Sequence, residues 1–294
     1  MRRNLTLAIA ACLGIIIWAC SQTANTATDP NAPQSERLFQ AHQGDRPVAT
    51  AITAFAPSQP VLAGAVTYGT TADGQPIHGY LARPAEQFDP SPAIIVIHEW
   101  WGLNDNIATM TRRLAGEGYT ALAVDLYNGT VAETREKARE LVGTVRENLD
   151  AAKDNLRQAY NYLDTTQQAP KIASLGWCFG GTWSLNTALL FPQDLDAAVI
   201  YYGGGITTNP EQLQTLEMPI IGFFGEEDRN PTPETVAEFE QVLTELDKSV
   251  EVHLYEGAGH AFANPSGTRY VEAAAMDAWE KTVAFLATYL QPGA

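Results

Sequence analysis

The feature that most constrains the fold is a regular alternation of short apolar runs with longer amphipathic stretches. Eight runs rich in Val, Ile, Ala and aromatic residues are typical of strands: 65–68, 77–82, 93–98, 120–125, 171–176, 197–202, 219–225 and 250–255. Helical patterns lie at 106–117, 134–165, 181–190, 235–247 and 271–290. This alternation predicts an α/β fold with a mainly parallel eight-stranded sheet and helices on both faces. The first two runs follow each other directly and predict an antiparallel hairpin at the sheet edge.

The chain divides into three parts by composition. Residues 61–294 contain no Gly/Ser-rich break and are predicted to form one domain, a size within the range of single α/β domains. Residues 21–60 are rich in Ser, Thr, Ala, Gln and Pro, which predicts a flexible tether with one short helix around residues 35–42. Residues 1–20 form a separate signal segment.

That signal segment predicts export. Arg2 and Arg3 precede an uncharged apolar stretch, which is the layout of a secretory signal. It ends Ile-Trp-Ala-Cys at residues 17–20, which resembles the lipobox of bacterial lipoproteins. We therefore expect a periplasmic, envelope protein that is lipid-anchored at Cys20. An uncleaved anchor and an ordinary cleaved signal are the alternatives.

The net charge limits the partners. With 18 Lys and Arg against 34 Asp and Glu, the formal charge is −16 at pH 7. Binding to nucleic acid, or to an anionic membrane surface by the folded part, needs clustered cations and is not expected. The only membrane contact expected is through the N-terminal lipid or anchor, and we expect a monomer. No Cys/His spacing indicates zinc and no dinucleotide fingerprint follows a strand, so neither metal nor cofactor is predicted.

A candidate nucleophile follows the fifth predicted strand. Residues 176–181 read Gly-Trp-Cys-Phe-Gly-Gly between a strand and a helix pattern. This is the G-x-nucleophile-x-G turn, with Cys178 in the position usually held by Ser. Small residues on either side permit the tight turn, and the following helix N-terminus favours a negatively charged sulfur. The alternative is an inert buried cysteine.

Two later strands run into loops that contain an acid and a base. The first loop begins Glu226, Glu227, Asp228, and the second contains His260. The order nucleophile, acid, base is that of α/β-hydrolases. We expect His260 to take the thiol proton and Asp228 to orient it, although Glu226 or Glu227 could replace Asp228. The other histidines, at positions 42, 78, 98 and 253, are expected to be surface or packing residues.

Five motifs in this order resemble the dienelactone hydrolase family. They are His-Glu-Trp-Trp-Gly at 98–102, Asp-Leu-Tyr at 125–127, the cysteine turn, the Asp228 loop, and Gly-His-Ala-Phe at 259–262. The resemblance spans about residues 61–290. It implies an α/β-hydrolase fold and a carboxymethylenebutenolidase-type hydrolase that cleaves a small ester, lactone or thioester through a cysteine acyl-enzyme. The implied triad is Cys178, Asp228 and His260.

The same resemblance implies further roles. The backbone N–H groups of Phe179 and Trp100 would form the oxyanion hole. Glu99 would contact the resting thiol and gate it. A carboxylate beside the sulfur favours the protonated thiol over the thiolate. The protonated form resists oxidation outside the cytoplasm, which gives Glu99 a chemical reason to be there. The alternative for Glu99 is a cap on the helix that follows.

Two departures from the family bear on the substrate. Family members that cleave dienelactone have Arg where this chain has Asn128 and Asn264, and those Arg residues bind the substrate carboxylate. Asn cannot supply the same charge-assisted contacts, so we expect a substrate without that carboxylate. Trp101, Tyr127 and Phe262 are expected to line the pocket with the two Asn. A non-catalytic envelope binding protein, a peptidase and an acyltransferase remain alternatives on this fold.

Overall fold

The computed structural model describes residues 34–45, 55–86 and 90–291. The predicted signal, Cys20 and part of the predicted tether lie outside the described residues. Within the described ranges, no helix combines the length and apolar character needed to cross a membrane.

The described residues form a single eight-stranded sheet. Its strands are β1 Val61–Thr70, β2 Pro76–Pro84, β3 Ala93–Ile97, β4 Thr120–Val124, β5 Ile172–Trp177, β6 Ala197–Tyr201, β7 Ile220–Gly225 and β8 Val250–Tyr255. Their order is β1-β2-β4-β3-β5-β6-β7-β8. β1 and β4 both pair antiparallel with β2, and the remaining neighbours are parallel. All eight predicted strands and the edge hairpin are confirmed.

Helices follow most of the strands. They are α1 Gln34–Ala41, α2 Asp105–Gly116, α3 Arg135–Glu147, α4 Leu149–Asn161, α5 Phe179–Leu190, α6 Pro210–Leu213, α7 Pro233–Glu245 and α8 Glu272–Leu290. Several begin where the sequence provides a capping side chain: those of Asn104, Thr134 and Thr232 accept a backbone N–H of the first turn. The long pattern at 134–165 is two helices, because the chain breaks at Asn148, which caps α4.

The core lies on both faces of the sheet. Every residue of β3, β4, β5, β6 and β7 is buried. Because successive side chains of a strand point to opposite faces, complete burial requires helices on both faces. The carboxyl ends of the parallel strands therefore meet at one edge of the sheet, where the loops with the predicted catalytic residues begin.

Residues 34–45, here named the N-terminal strap, pack on this domain. Helix α1 contacts α3, and Leu38 is completely buried. The sequence pattern predicts this short helix but as part of a flexible tether. The structure differs for residues 34–45, because the apolar side chains of Leu38 and Phe39 pack against the domain core.

Candidate active site

Cys178 is held in a strained turn between β5 and α5. Its backbone has φ 57° and ψ −117°, a conformation that an L-residue adopts only under constraint. The surroundings hold it there: its N–H donates to Tyr201 O at 3.0 Å, and its carbonyl accepts Thr182 N–H at 3.2 Å. The turn places the residue at the N-terminus of α5, where the first backbone N–H groups have no partner within the helix.

The flanking glycines permit this turn by close backbone approach. A Cβ on Gly176 would lie 2.2 Å from Gly180 O, and one on Gly180 would lie 2.1 Å from Ile97 O. Both obstacles are backbone atoms, which cannot move aside. The turn therefore needs glycine at both positions, as the sequence motif predicts.

A buried acid–base pair lies beside the cysteine. His260 Nδ1 donates to Asp228 Oδ2 at 2.9 Å, and both side chains are buried. The other Asp228 oxygen accepts Asn230 N–H at 2.8 Å. Glu226 and Glu227, which the sequence left as alternatives, are exposed. A ring nitrogen of His260 lies within 4.8 Å of Cys178 Sγ.

The electrostatics of this pair favour a basic imidazole. Burial lowers the pKa of His260, but the charge of Asp228, the charge that Cys178 carries as a thiolate and the hydrogen bond to Asp228 outweigh burial and raise the pKa well above its usual value. Nδ1 is occupied by Asp228, so Nε2 is the atom available for proton transfer. The geometry is that of a Cys-His-Asp triad.

His42 of the strap also reaches the thiol. Its Nε2 is 3.3 Å from Cys178 Sγ, and its Nδ1 is 2.7 Å from Asp45 Oδ2. Of the two predicted placements of His42, the surface one is therefore wrong: His42 is a buried packing residue that also contacts the thiol. The available signal was a His and an Asp three residues apart, directly after an amphipathic helix.

The His42 ring fills the space around the thiol. It stacks on Trp100 with centroids 4.2 Å apart, and meets the His260 ring edge-on at 4.9 Å. Burial lowers the pKa of His42 to about 3, so the ring is neutral at physiological pH. Cys178 has no exposed surface in this arrangement.

Glu99 is buried nearby but its observed partner is Asn264. Its carboxylate accepts the Asn264 side-chain N–H, and the other oxygen has no partner among the described residues. Burial raises its pKa to about 7. The hydrogen bond of Cys178 Sγ is made with His42 Nε2 and not with Glu99. The cap of α2 is Asn104, so the capping alternative for Glu99 is wrong.

His98 connects the loops after β3 and β4. Its Nε2 accepts Leu126 N–H at 3.2 Å, and its Nδ1 donates to Glu99 O at 2.6 Å. Because Nε2 is an acceptor, Nδ1 must carry the proton. His98 thereby fixes the loop that contains Glu99 and Trp100.

The predicted pocket residues do not all lie together. Trp101, Tyr127 and Phe262 are buried, with Trp101 beside His42 and Tyr127 against Phe179. Asn128 is instead exposed and lines a separate cavity of about 420 Å³, formed with α3 and α4. The structure therefore does not bring Asn128 together with the other predicted pocket residues.

Several buried polar atoms surround the thiol without a partner among the described residues. They are His260 Nε2, Glu99 Oε1, Trp100 Nε1 and Tyr202 Oη. Buried polar atoms are normally paired, and clusters of unpaired ones are typical of catalytic or ligand-binding sites. Tyr202 follows β6 with φ 37°, its ring packs edge-on against His260 at 5.4 Å, and no motif in the sequence pointed to it.

Three donor atoms at the site lie within 4.8 Å of one another: a ring nitrogen of His42, a ring nitrogen of His260 and Cys178 Sγ. They are the described residues best placed to share an ion. An ion bound to Sγ would compete with the use of Sγ as a nucleophile.

Comparison with known proteins identifies the family. The model of the dienelactone hydrolase family matches residues 77–290. A Saccharolobus solfataricus protein named "Putative carboxymethylenebutenolidase" is 33% identical, over 73% of this chain and 95% of its own. "Protein usf" from Aquifex pyrophilus is 32% identical, over 74% and 96%. The crystal structure titled "Putative Dienelactone Hydrolase" from Klebsiella pneumoniae is 28% identical, with a TM-score of 0.68 over 79% of this chain and all of that one. The chain is a hydrolase that belongs to the dienelactone hydrolase family.

Proposed function

We propose that this protein hydrolyses carboxylic esters, lactones or thioesters through a cysteine acyl-enzyme. The observation that carries the proposal is the convergence of the Asp228–His260 pair on a strained cysteine at a helix N-terminus. A binding protein has no need of this combination, because its backbone strain costs about 1–3 kcal/mol of stability.

The proposed reaction has two halves, formation of the acyl-enzyme and its hydrolysis, and each catalytic group acts in both. Sγ of Cys178 attacks the carbonyl carbon as the thiol proton passes to His260 Nε2, and the backbone N–H groups of Phe179 and Trp100 stabilise the oxyanion. The C–O or C–S bond then breaks, and the leaving group takes the proton from His260. Water attacks the thioester, gives a proton to His260, and the acid is released as Cys178 regains its proton. Asp228 holds the His260 tautomer throughout.

The substrate that we propose has no carboxylate group on its acyl part. Asn264 is engaged with Glu99, and Asn128 lies in the separate cavity, so neither supports binding of a carboxylate. We expect kcat/KM to be higher for a neutral ester or lactone than for a matched substrate with an added carboxylate. A clear preference for the acid would contradict this substrate class.

Variants of the triad test the function. We expect Cys178→Ala and His260→Ala each to lower kcat by about 10³-fold or more, since the members of a triad act as a unit. Asp228→Asn should cost less. His78→Ala is the matched control, because His78 lies on an exposed part of β2 and contacts Thr67. Folded triad variants with the turnover of the control would overturn the proposal.

A further inference from the structure

We propose that the N-terminal strap is part of the active site, in which His42, positioned by Asp45, holds Cys178 as a covered and protonated thiol. A substrate then reaches Sγ only after the His42 ring withdraws. This inference rests on the proposed function, in that Cys178 is taken as the nucleophile. It assigns the strap a role at the thiol that the family motifs do not contain.

The first step is the protonation state of Asp45. Its carboxylate accepts Thr268 Oγ1 at 3.0 Å and pairs with Arg269 at 3.2 Å. Burial raises the pKa of Asp45, but the hydrogen bond from His42 and the charge of Arg269 outweigh it, and the net pKa is lowered. Asp45 is therefore an ionised carboxylate, which can only accept hydrogen bonds.

The second step fixes the tautomer of His42. Because Asp45 only accepts, His42 Nδ1 must carry the proton. The ring is neutral, so Nε2 is unprotonated and can only accept. At 3.3 Å from Nε2, Cys178 must be the donor, through its S–H. The closed strap thus selects the thiol and disfavours the thiolate, the form that attacks carbonyls and is oxidised.

The third step is steric. The His42 ring contacts Trp100, Cys178 and His260, and Trp100 is one of the two residues whose N–H is proposed for the oxyanion hole. With the ring in this position Cys178 has no exposed surface, so an acyl group on Sγ would need the space that the ring takes. Withdrawal of His42 would expose Sγ and let the thiol proton pass to His260 Nε2.

The strap is attached at contacts remote from the thiol. The Phe39 ring lies under the guanidinium groups of Arg135 and Arg139, at 4.2 and 4.6 Å, and Arg135 donates to the Phe39 carbonyl. Arg139 also pairs with Glu36 at an exposed site. These contacts offer a way to loosen the strap without altering any group at the thiol.

The test is the rate at which iodoacetamide alkylates Cys178 in the full chain, followed on the peptide that contains Cys178. We expect His42→Ala to react about tenfold faster than wild type or more, because thiol reactivity follows exposure and thiolate content. Phe39→Ala should accelerate the reaction in the same direction, and His78→Ala should not. Equal rates for wild type, His42→Ala and Phe39→Ala would overturn the proposal.

A second variant tests whether His42 keeps Cys178 protonated, as distinct from merely covering its sulfur. Asp45→Asn leaves the His42 ring in place, but its amide can donate to Nδ1 and allow Nε2–H to donate to sulfur. We expect more thiolate absorbance at neutral pH in this variant than in wild type, and an unchanged absorbance would contradict the assigned tautomer.

Alkylation needs no ester turnover, so the alkylation results are independent of the triad test. A loss of kcat by about 100-fold or more in His42→Ala, with unchanged alkylation, would instead make His42 a catalytic base and overturn the covering role.

Discussion

At the scale of single residues, the site depends on environments that ordinary surface positions do not provide. Cys178 is held at a positive φ between two glycines, and two imidazoles approach its sulfur, each with an Asp on Nδ1. The two imidazoles differ in electrostatics. The pKa of His260 is raised by Asp228 and Cys178 despite burial, whereas burial lowers the pKa of His42. One ring is suited to bind a proton and the other to remain neutral.

This difference predicts a pH dependence of stability. The pKa of His42 is about 3 in the folded protein and 6.5 in the unfolded chain, so between these values the unfolded chain binds a proton that the folded protein does not. The contribution of neutral His42 is therefore present above pH 6.5 and lost as pH falls toward 3. We expect Tm to fall less steeply over this range in His42→Gln than in wild type. Parallel curves for the two proteins would contradict the buried neutral state.

The pH dependence of stability has the opposite sign for Glu99. Its pKa is about 7 in the folded protein against 4.5 ordinarily, so its contribution is present below pH 4.5 and is lost as pH rises through 7. Glu99→Gln should remove this loss, so its Tm should gain on that of wild type as pH rises from 4.5 to about 7, the interval in which the unfolded chain has lost the proton that folded Glu99 keeps. A Tm difference that does not change with pH would show that Glu99 is not buried as a neutral acid.

At the scale of elements, the turn between β5 and α5 sets the position of the nucleophile. The site of Gly180 is closed by Ile97 O and His98 O of the neighbouring strand end, so the turn also fixes the distance between β3 and α5. The elements that bring Asp228 and His260 are the loops after β7 and β8, which are adjacent in the sheet.

The turn predicts a contrast between two glycines. Gly180→Ala should destabilise the protein by about 1–3 kcal/mol or more, because its Cβ meets backbone oxygens. Gly143→Ala, in helix α3 with nothing near its Cβ, should stabilise by about 0.5–1 kcal/mol. Chemical denaturation measures both. Equal effects of the two substitutions would contradict the close packing of the turn.

Most of the strands and the cysteine turn could be predicted from the sequence. The strands could be predicted because buried parallel strands are continuous β-branched runs, as in residues 93–97, and the cysteine turn could be predicted because its glycines leave a local motif. The strap could not be predicted. His42 and Cys178 are 136 positions apart, and a short amphipathic segment does not specify which surface it covers. The burial of Asp228 over Glu226 likewise depends on tertiary contacts.

At the scale of the whole molecule, we propose export to the envelope with lipid attachment at Cys20. The supporting observations are the basic and apolar segment at residues 1–18 and the lipobox-like sequence that ends in Cys20. We expect wild type to incorporate labelled palmitate and to fractionate with membranes. Cys20→Ser should lose the label, with Cys12→Ser as the control. Equal labelling of Cys20→Ser and wild type would contradict the attachment site.

The central claim is that Cys178 forms an acyl-enzyme, and the most direct measurement is intact mass during reaction with p-nitrophenyl acetate. The full chain and Cys178→Ala are mixed with excess ester and quenched with acid at successive times. We predict a transient acetyl adduct on wild type that maps to Cys178, forms with the burst of nitrophenol and decays at the rate of turnover. Turnover by Cys178→Ala at the wild-type rate, or steady turnover without any adduct on Cys178, would contradict the account.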